Sequence, residues 1–151
     1  MVFFLIAKDQ TSQRTYCVFN RTRESFLSMR ITPADTHWKR LKGLLGKLRL
    51  KADEGMWVTP SRGVHTFGVL FSVDLIYLDA HCRVVKTIES FPSFRIGPLQ
   101  LNCASVLQLA TRTIYSSDTQ VGDQLLICSP DEMQEYLKST QGRAAGTAAS
   151  A

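Results

Sequence analysis

Asp74 stands inside an apolar run, Val73-Asp74-Leu75-Ile76, where a carboxylate is expensive to bury unpaired. It calls for a cation or several hydrogen-bond donors, and Arg40 and His65 are the natural candidates. With such a partner Asp74 could serve as a general base or a ligand anchor. Satisfied instead by backbone N–H groups, it would be an internal pin that holds loop 60–68 against the sheet. His65-Thr66 carries the same ambiguity: a base beside a hydroxyl, although adjacent strand residues point to opposite faces. With Trp57 and Gln108 these residues make the densest polar–aromatic constellation of the chain. Arg40, Trp57, His65, Thr66, Asp74 and Gln108 are the candidate ligand-binding residues, and His65 and Asp74 the candidates for catalysis. A relay of Ser61 or Thr66 with His65 and Asp74 would have to be assembled by folding, because no Gly-x-Ser-x-Gly elbow is present.

Other chemistries leave less trace. Cys17, Cys82, Cys103 and Cys128 contain no close pair, whereas zinc and dithiol sites usually show two ligands within a few residues. The four read as small, mostly buried hydrophobes of a reducing cytosol, and neither a metal nor a cofactor is expected. Neither Gly-x-Gly-x-x-Gly nor Gly-x-x-x-x-Gly-Lys-Ser/Thr occurs. His37 and His81 are expected on a helix surface and in a turn, both solvated. Asp123, after Gly122, is explained by an Asx-type turn bond. Trp57 reads as core or pocket wall.

Elements must position these residues, and length bounds them: 151 residues, 44% hydrophobic and 21% charged, suit one domain. Short strands are expected at 2–7, 15–20 and 25–32, after which Pro33 breaks the chain. Trp38, Leu41, Leu45 and Leu48 then form one apolar stripe of a short helix over 36–48. Met56–Val58, Val69–Phe71, 71–79, 83–89, 104–109 and 124–128 are strand-like, with Asp79–Cys82 as a tight hairpin connection. Phe91–Pro98 is an irregular loop. Ser129-Pro130-Asp131-Glu132 opens a second helix with a capping box, ending near Lys138. The expected fold is mainly β with two short helices (α+β), a compact, mainly antiparallel sheet, barrel-like or half-closed. Residues 1–138 form the single globular domain, and 139–151 a disordered tail of mainly Ala, Gly, Ser and Thr.

Charge is uneven. Residues 1–50 carry ten Lys/Arg against three acidic residues, net +7, and the remaining 101 carry eight against ten, net −2. A basic half could meet nucleic acid or an acidic partner. It lacks interleaved aromatics that would stack bases, so a solvated basic face is favoured. No apolar run reaches the ~20 residues of a membrane span. The opening Val2–Ala7 is too short for a signal peptide, and a cytoplasmic location is expected.

Several blocks of the chain resemble one family. Thr36-His37-Trp38-Lys39-Arg40-Leu41-Lys42-Gly43-Leu44-Leu45-Gly46 with Glu54-Gly55-Met56-Trp57-Val58 is similar to the "Arg-Leu-x-Gly-Leu-Met/Leu … Glu-Gly-Met/Leu" block of domain of unknown function 192, an uncharacterised prokaryotic family. Pro60–Val69 and Val73-Asp74-Leu75-Ile76-Tyr77-Leu78-Asp79 resemble its second block, and Val106-Leu107-Gln108-Leu109 with Gly122-Asp123 its "Val-Leu-Glu-Leu … Gly-Asp". The likeness covers about residues 30–128. Gln108 stands where the family usually has Glu, Ser61 where Cys is frequent and Val69 where Met is. The resemblance implies a compact β-rich fold and no particular reaction. Three functions follow in order of expectation. The first is a binding module for a small molecule or an acidic protein partner, with a cleft near His65 and Asp74. The second is a small hydrolase or lyase using His65 and Asp74 as an acid–base pair. The third is nucleic-acid binding through residues 1–50.

Overall fold

The computed structural model describes residues 14–34 and 48–148. Seven strands, β1 (Tyr16–Asn20), β2 (Ser25–Ala34), β3 (Glu54–Val58), β4 (Val73–Leu78), β5 (Val84–Phe91), β6 (Ser105–Leu109) and β7 (Leu125–Cys128), form one sheet in the order β5-β4-β6-β3-β2-β1-β7. Among the described residues two helices accompany it, α1 (Thr113–Ser117) and α2 (Pro130–Ala148). Every strand pair is antiparallel except β2–β3, which run parallel from Arg30↔Glu54 to Ala34↔Val58. The sheet curls until its two edges touch at one end. Arg83 and Gln124 bridge, the Val84 N–H donates to the Asp123 carbonyl (2.9 Å), and the Leu125 N–H donates to that of Cys82 (3.0 Å). The expected half-closed, mainly β fold is what forms.

Strand alternation divides the apolar residues between two sides. Val18, Leu27, Ile31, Ile76, Leu78, Leu107 and Leu109 fill the concave interior, which Ile114 of α1 joins. Met56, Val58, Val73, Leu75, Tyr77 and Val106 form a second core on the convex face, under the connections around Val64, Val69 and Cys103. A third, smaller cluster sets Met133, Tyr136 and Leu137 of α2 against Cys17, Phe19 and Cys128. Each fully buried aliphatic side chain is worth about 1.5–3 kcal/mol relative to exposure.

Gly55 shows how tightly β3 is held. A Cβ at this position would lie 2.7 Å from the Gln108 carbonyl oxygen, the Ile31 side chain and the Leu109 side chain. Strands β2 and β6 therefore close on β3 over a residue that must have no side chain.

Several expectations are revised. Pro33 does not break the chain: β2 runs through it, paired with Trp57. Its missing N–H is tolerated because pairing with β1 stops at Ile31, so that among the described residues no ladder runs on that side of β2 beyond it. Val69–Phe71 is a connection rather than a strand, and the five-residue α1 has too few residues to carry an apolar period. The Ser129 cap forms as expected, with the Ser129 N–H donating to Glu132 (2.8 Å) and the Glu132 N–H to Ser129 Oγ (3.3 Å). The helix it opens continues past Lys138 to Ala148. Residues 138–148 are all exposed, so Ala, Gln and Arg propensity sustains these turns rather than packing. The strand expected at 2–7, and His37, Trp38 and Arg40 of the helix expected at 36–48, lie outside the described residues. No helix among the described residues is long and apolar enough to cross a membrane.

Candidate functional site

Asp74 is fully buried in β4 and both of its carboxylate oxygens are occupied. Oδ1 accepts the Ser90 N–H at 2.9 Å and Oδ2 the Ile114 N–H at 2.9 Å. The first donor is supplied by an irregularity in the β4–β5 ladder, where pairing shifts between Val73↔Phe91 and Leu75↔Ile88. Ser90 there adopts φ +49°, the left-handed conformation a bulge uses to re-aim a backbone group. The second comes from the first turn of α1, whose N–H groups have no partner within the helix. Asp74 thus clips edge strand β5 and helix α1 to β4, the next strand in. Its recorded partners are backbone N–H groups rather than His65, and what it holds is not loop 60–68.

Loop 60–68 is held differently. Residues 62–66 run antiparallel to 94–100 as an irregular ladder on the convex side. The Gln100 N–H donates to Arg62 O (2.9 Å), Gly97 N–H to Val64 O (2.8 Å) and Thr66 N–H to Arg95 O (2.8 Å), with His65 opposite Ile96. Buried Thr66 fastens the pair: its hydroxyl donates to Pro92 O (2.7 Å) and accepts the Arg95 N–H (3.0 Å). His65, the adjacent residue, points the other way and is exposed, its ring 5.4 Å from that of Phe67. On the same two connections Phe67, Leu70, Phe94, Ile96, Leu99 and Leu101 are all exposed.

Trp57 and Gln108 take opposite faces. Trp57, half-buried on the concave side, meets Tyr16 edge-on at 5.8 Å between ring centroids. Gln108 is buried on the convex side, beside Met56 and Leu75 in register, while its neighbour Leu109 pairs with Asp74. The six candidates therefore do not converge: Asp74 and Trp57 share the concave side, His65, Thr66 and Gln108 the convex side, and Arg40 lies outside the described residues. Tyr77, beneath the ladder, is fully buried with no hydrogen-bond partner for its hydroxyl. Burial and the nearby Cys103 push its phenol up to about 12. A Cβ on Gly97 would come within 2.8 Å of that hydroxyl.

A polar cluster more extensive than that of Asp74 joins the β1–β2 turn to residues 117–124. Asn20 Nδ2 donates to Asp123 Oδ2 (2.9 Å) and to Thr119 Oγ1 (3.1 Å), and Arg23 Nε donates to Asp123 (3.1 Å). The Gln120 N–H also donates to Asp123 (2.9 Å). That donor lies three residues before the carboxylate, whereas an Asx-type turn takes the N–H two residues after it, and the Leu125 N–H goes to Cys82 instead, so the expected turn bond does not account for Asp123. Burial pushes the Asp123 carboxyl up, but Asn20, the Gln120 N–H and Arg23 outweigh it and hold it below the usual range. The sequence signal was Gly122-Asp123, and nothing local to Asn20 announces its part.

The cysteines are free thiols, three of them buried, and burial pushes all four upward, away from thiolate reactivity. Among the described residues no three His, Cys, Asp or Glu groups gather where they could hold a metal ion.

Two solved structures share this fold. One, a protein of unknown function from Novosphingobium aromaticivorans, aligns with TM-score 0.62 at 19% identity over 74% of this chain and 83% of its own. The other, from Sinorhizobium meliloti and described as a proposed transcription regulator, aligns with TM-score 0.61 at 15% identity over 76% of this chain and 92% of its own. No curated protein matches. The sequence family DUF192, described as uncharacterized ACR, matches residues 18–127, from within β1 into β7. The chain belongs to the DUF192 family.

Proposed function

We propose that this DUF192 protein is a non-enzymatic binding module whose contact surface is the convex ladder around His65. The observation that carries this is the gathering of six exposed large apolar side chains on two connections bonded to each other, since such residues are ordinary singly but not as a patch. Small molecules and acidic partners are the classes that a surface of this kind would admit. Asp74 does not contribute to it. An acid–base pair of His65 and Asp74 would need one substrate to reach both, and Asp74 is sealed in the concave interior with both oxygens occupied. Four cysteines without a disulfide fit a reducing compartment, and we assign the protein to the cytoplasm.

Dye binding tests the surface. The full chain should enhance the fluorescence of an apolar dye such as ANS, and Leu99→Ser with Leu101→Ser should remove most of that signal. The same double variant should leave stability within about 0.5 kcal/mol, as surface substitutions do. A large loss of stability would make these residues core, and an undiminished dye signal would put the binding surface elsewhere.

A second reading is nucleic-acid binding, favoured by the net charge of +7 over residues 1–50 and by what the Sinorhizobium meliloti relative is described as. Fluorescence anisotropy with labelled oligonucleotides at rising salt decides it. Phosphate contacts would give an affinity that falls steeply with salt, and no binding at low salt would end it.

A further inference from the structure

We infer that the convex ladder docks on an anionic lipid bilayer, with its apolar side chains entering the headgroup–acyl boundary and Arg62 and Arg95 meeting lipid phosphates. The inference rests on the binding-surface reading and names its partner. Ile96, Leu99 and Leu101 are 73%, 77% and 86% exposed, and Phe67, Leu70 and Phe94 each at least 50%. Water is a poor solvent for so much hydrocarbon, and the cross-bonded ladder offers it in a fixed arrangement, so no ordering is needed on contact.

Charge selects the kind of partner. Residues 60–73 and 90–117 contain no Asp or Glu, and they hold Arg62, Arg95 and Arg112. Arg62 and Arg95 are exposed, and neither enters an ion pair among the described residues. Arginine matches phosphate with its planar fork, and basic residues beside an apolar face are drawn to anionic lipid. A protein partner would need directional polar contacts to fix its register. The segment Phe94-Arg95-Ile96-Gly97-Pro98-Leu99-Gln100-Leu101, in which Gly97 is buried and Gln100 half-buried, offers few, and a fluid bilayer asks for none.

Co-sedimentation of the full chain with vesicles tests this, using phosphatidylcholine alone and phosphatidylcholine mixed with phosphatidylglycerol. The chain should sediment with the mixed vesicles, several-fold less with phosphatidylcholine alone, and less as sodium chloride rises. Arg62→Gln with Arg95→Gln should weaken partitioning about thirty-fold, from roughly one surface-charge increment per arginine. Ile96→Ser with Leu101→Ser should weaken it by about tenfold or more through lost apolar burial. Thermal unfolding of both double variants should match the wild type. No sedimentation with the mixed vesicles, or sedimentation that neither double variant reduces, overturns the inference. So does a concentration-dependent dimer abolished by Ile96→Ser with Leu101→Ser, which would make the occupant a second copy. If ANS binding to the ladder survives while vesicle binding is absent, only the lipid assignment fails; if both are absent, the surface itself fails.

Discussion

The Asp74 carboxylate and the Ile114 backbone N–H, forty positions apart in the chain, are joined at 2.9 Å in the interior of the curled sheet. With the Ser90 N–H on its other oxygen, Asp74 satisfies two backbone donors that nothing else in their own elements reaches. Asp74→Asn would turn an NH2 group toward one of them, donor against donor. The expected loss is about 1–3 kcal/mol, the usual consequence of leaving a buried polar group unpaired. His65→Ala, at an exposed position, should stay within about 0.5 kcal/mol. Thermal unfolding of the two variants side by side reads the contrast, and equal losses would contradict it.

Gly55 supports a second prediction. Gly55→Ala introduces a Cβ at 2.7 Å from a backbone oxygen and two core side chains. A backbone carbonyl cannot rotate away, so β3 must move from β6 at a cost of about 1–3 kcal/mol or more. Urea unfolding should show a lower midpoint with an unchanged slope, and an unshifted midpoint would mean that the strands relax freely.

Tyr77 predicts a gain. Its buried hydroxyl has no partner, so Tyr77→Phe should keep or raise stability, by up to about 1–3 kcal/mol if the full desolvation penalty is recovered. Because the folded phenol is raised to about 12 from an unfolded value near 10, the folded state holds its proton longer. Stability should therefore be intact below about pH 10 and fall as pH rises toward 12. The Phe variant should lose that part of the alkaline slope, which unfolding midpoints measured across this range would reveal.

Asp123 acts at the other end of the scale. Its folded carboxyl lies below the unfolded value of about 3.9, so the stability it contributes is present above that value and lost as pH falls through the folded one. Asp123→Asn and Asn20→Ala should each lower stability at pH 7, and the Asp123 variant should flatten the acid limb below about pH 4. An acid limb identical to the wild type would show that other carboxylates govern it.

The last turns of α2 should be dispensable. A chain ending at Lys138 removes, among the described residues, only exposed ones and should unfold at the wild-type temperature. Loss of helical circular dichroism on truncation would show that residues 139–148 are helical in solution, and no loss would favour a disordered tail.

Much of this can be read from residues alone. The β4–β5 hairpin follows from two β-branched runs around Asp79–Cys82, and the α2 cap from Ser129 and Glu132. That Asp74 needs donors is also legible. Which donors answer is not, because Ser90 offers its N–H only through a ladder irregularity and Ile114 only through a helix of five residues. The convergence of six polar residues fails for a reason of register. Leu75 pairs with Gln108 and Asp74 with Leu109, so Asp74 and Gln108 fall on opposite faces. Alternation within each strand is visible in the sequence, but the pairing between strands that decides it is not. The exposed apolar ladder was hidden for the opposite reason: Ile96, Leu99 and Leu101 look like core residues until their neighbours are known.

The pairing of β1 with β7 has a consequence for synthesis. Val18↔Ile127 and Cys17↔Cys128 set the first strand of the sheet beside the last. On the ribosome, β1 can find β2 within a few residues, but its other edge has no neighbour until the chain beyond Cys128 has emerged. Every nascent chain thus carries an unpaired ladder through most of its translation, the kind of edge at which chains associate wrongly. Premature termination before Asp123 would leave that edge open permanently and also remove the bridge that closes the curled sheet, so incomplete products of this gene should aggregate rather than persist as smaller folded proteins.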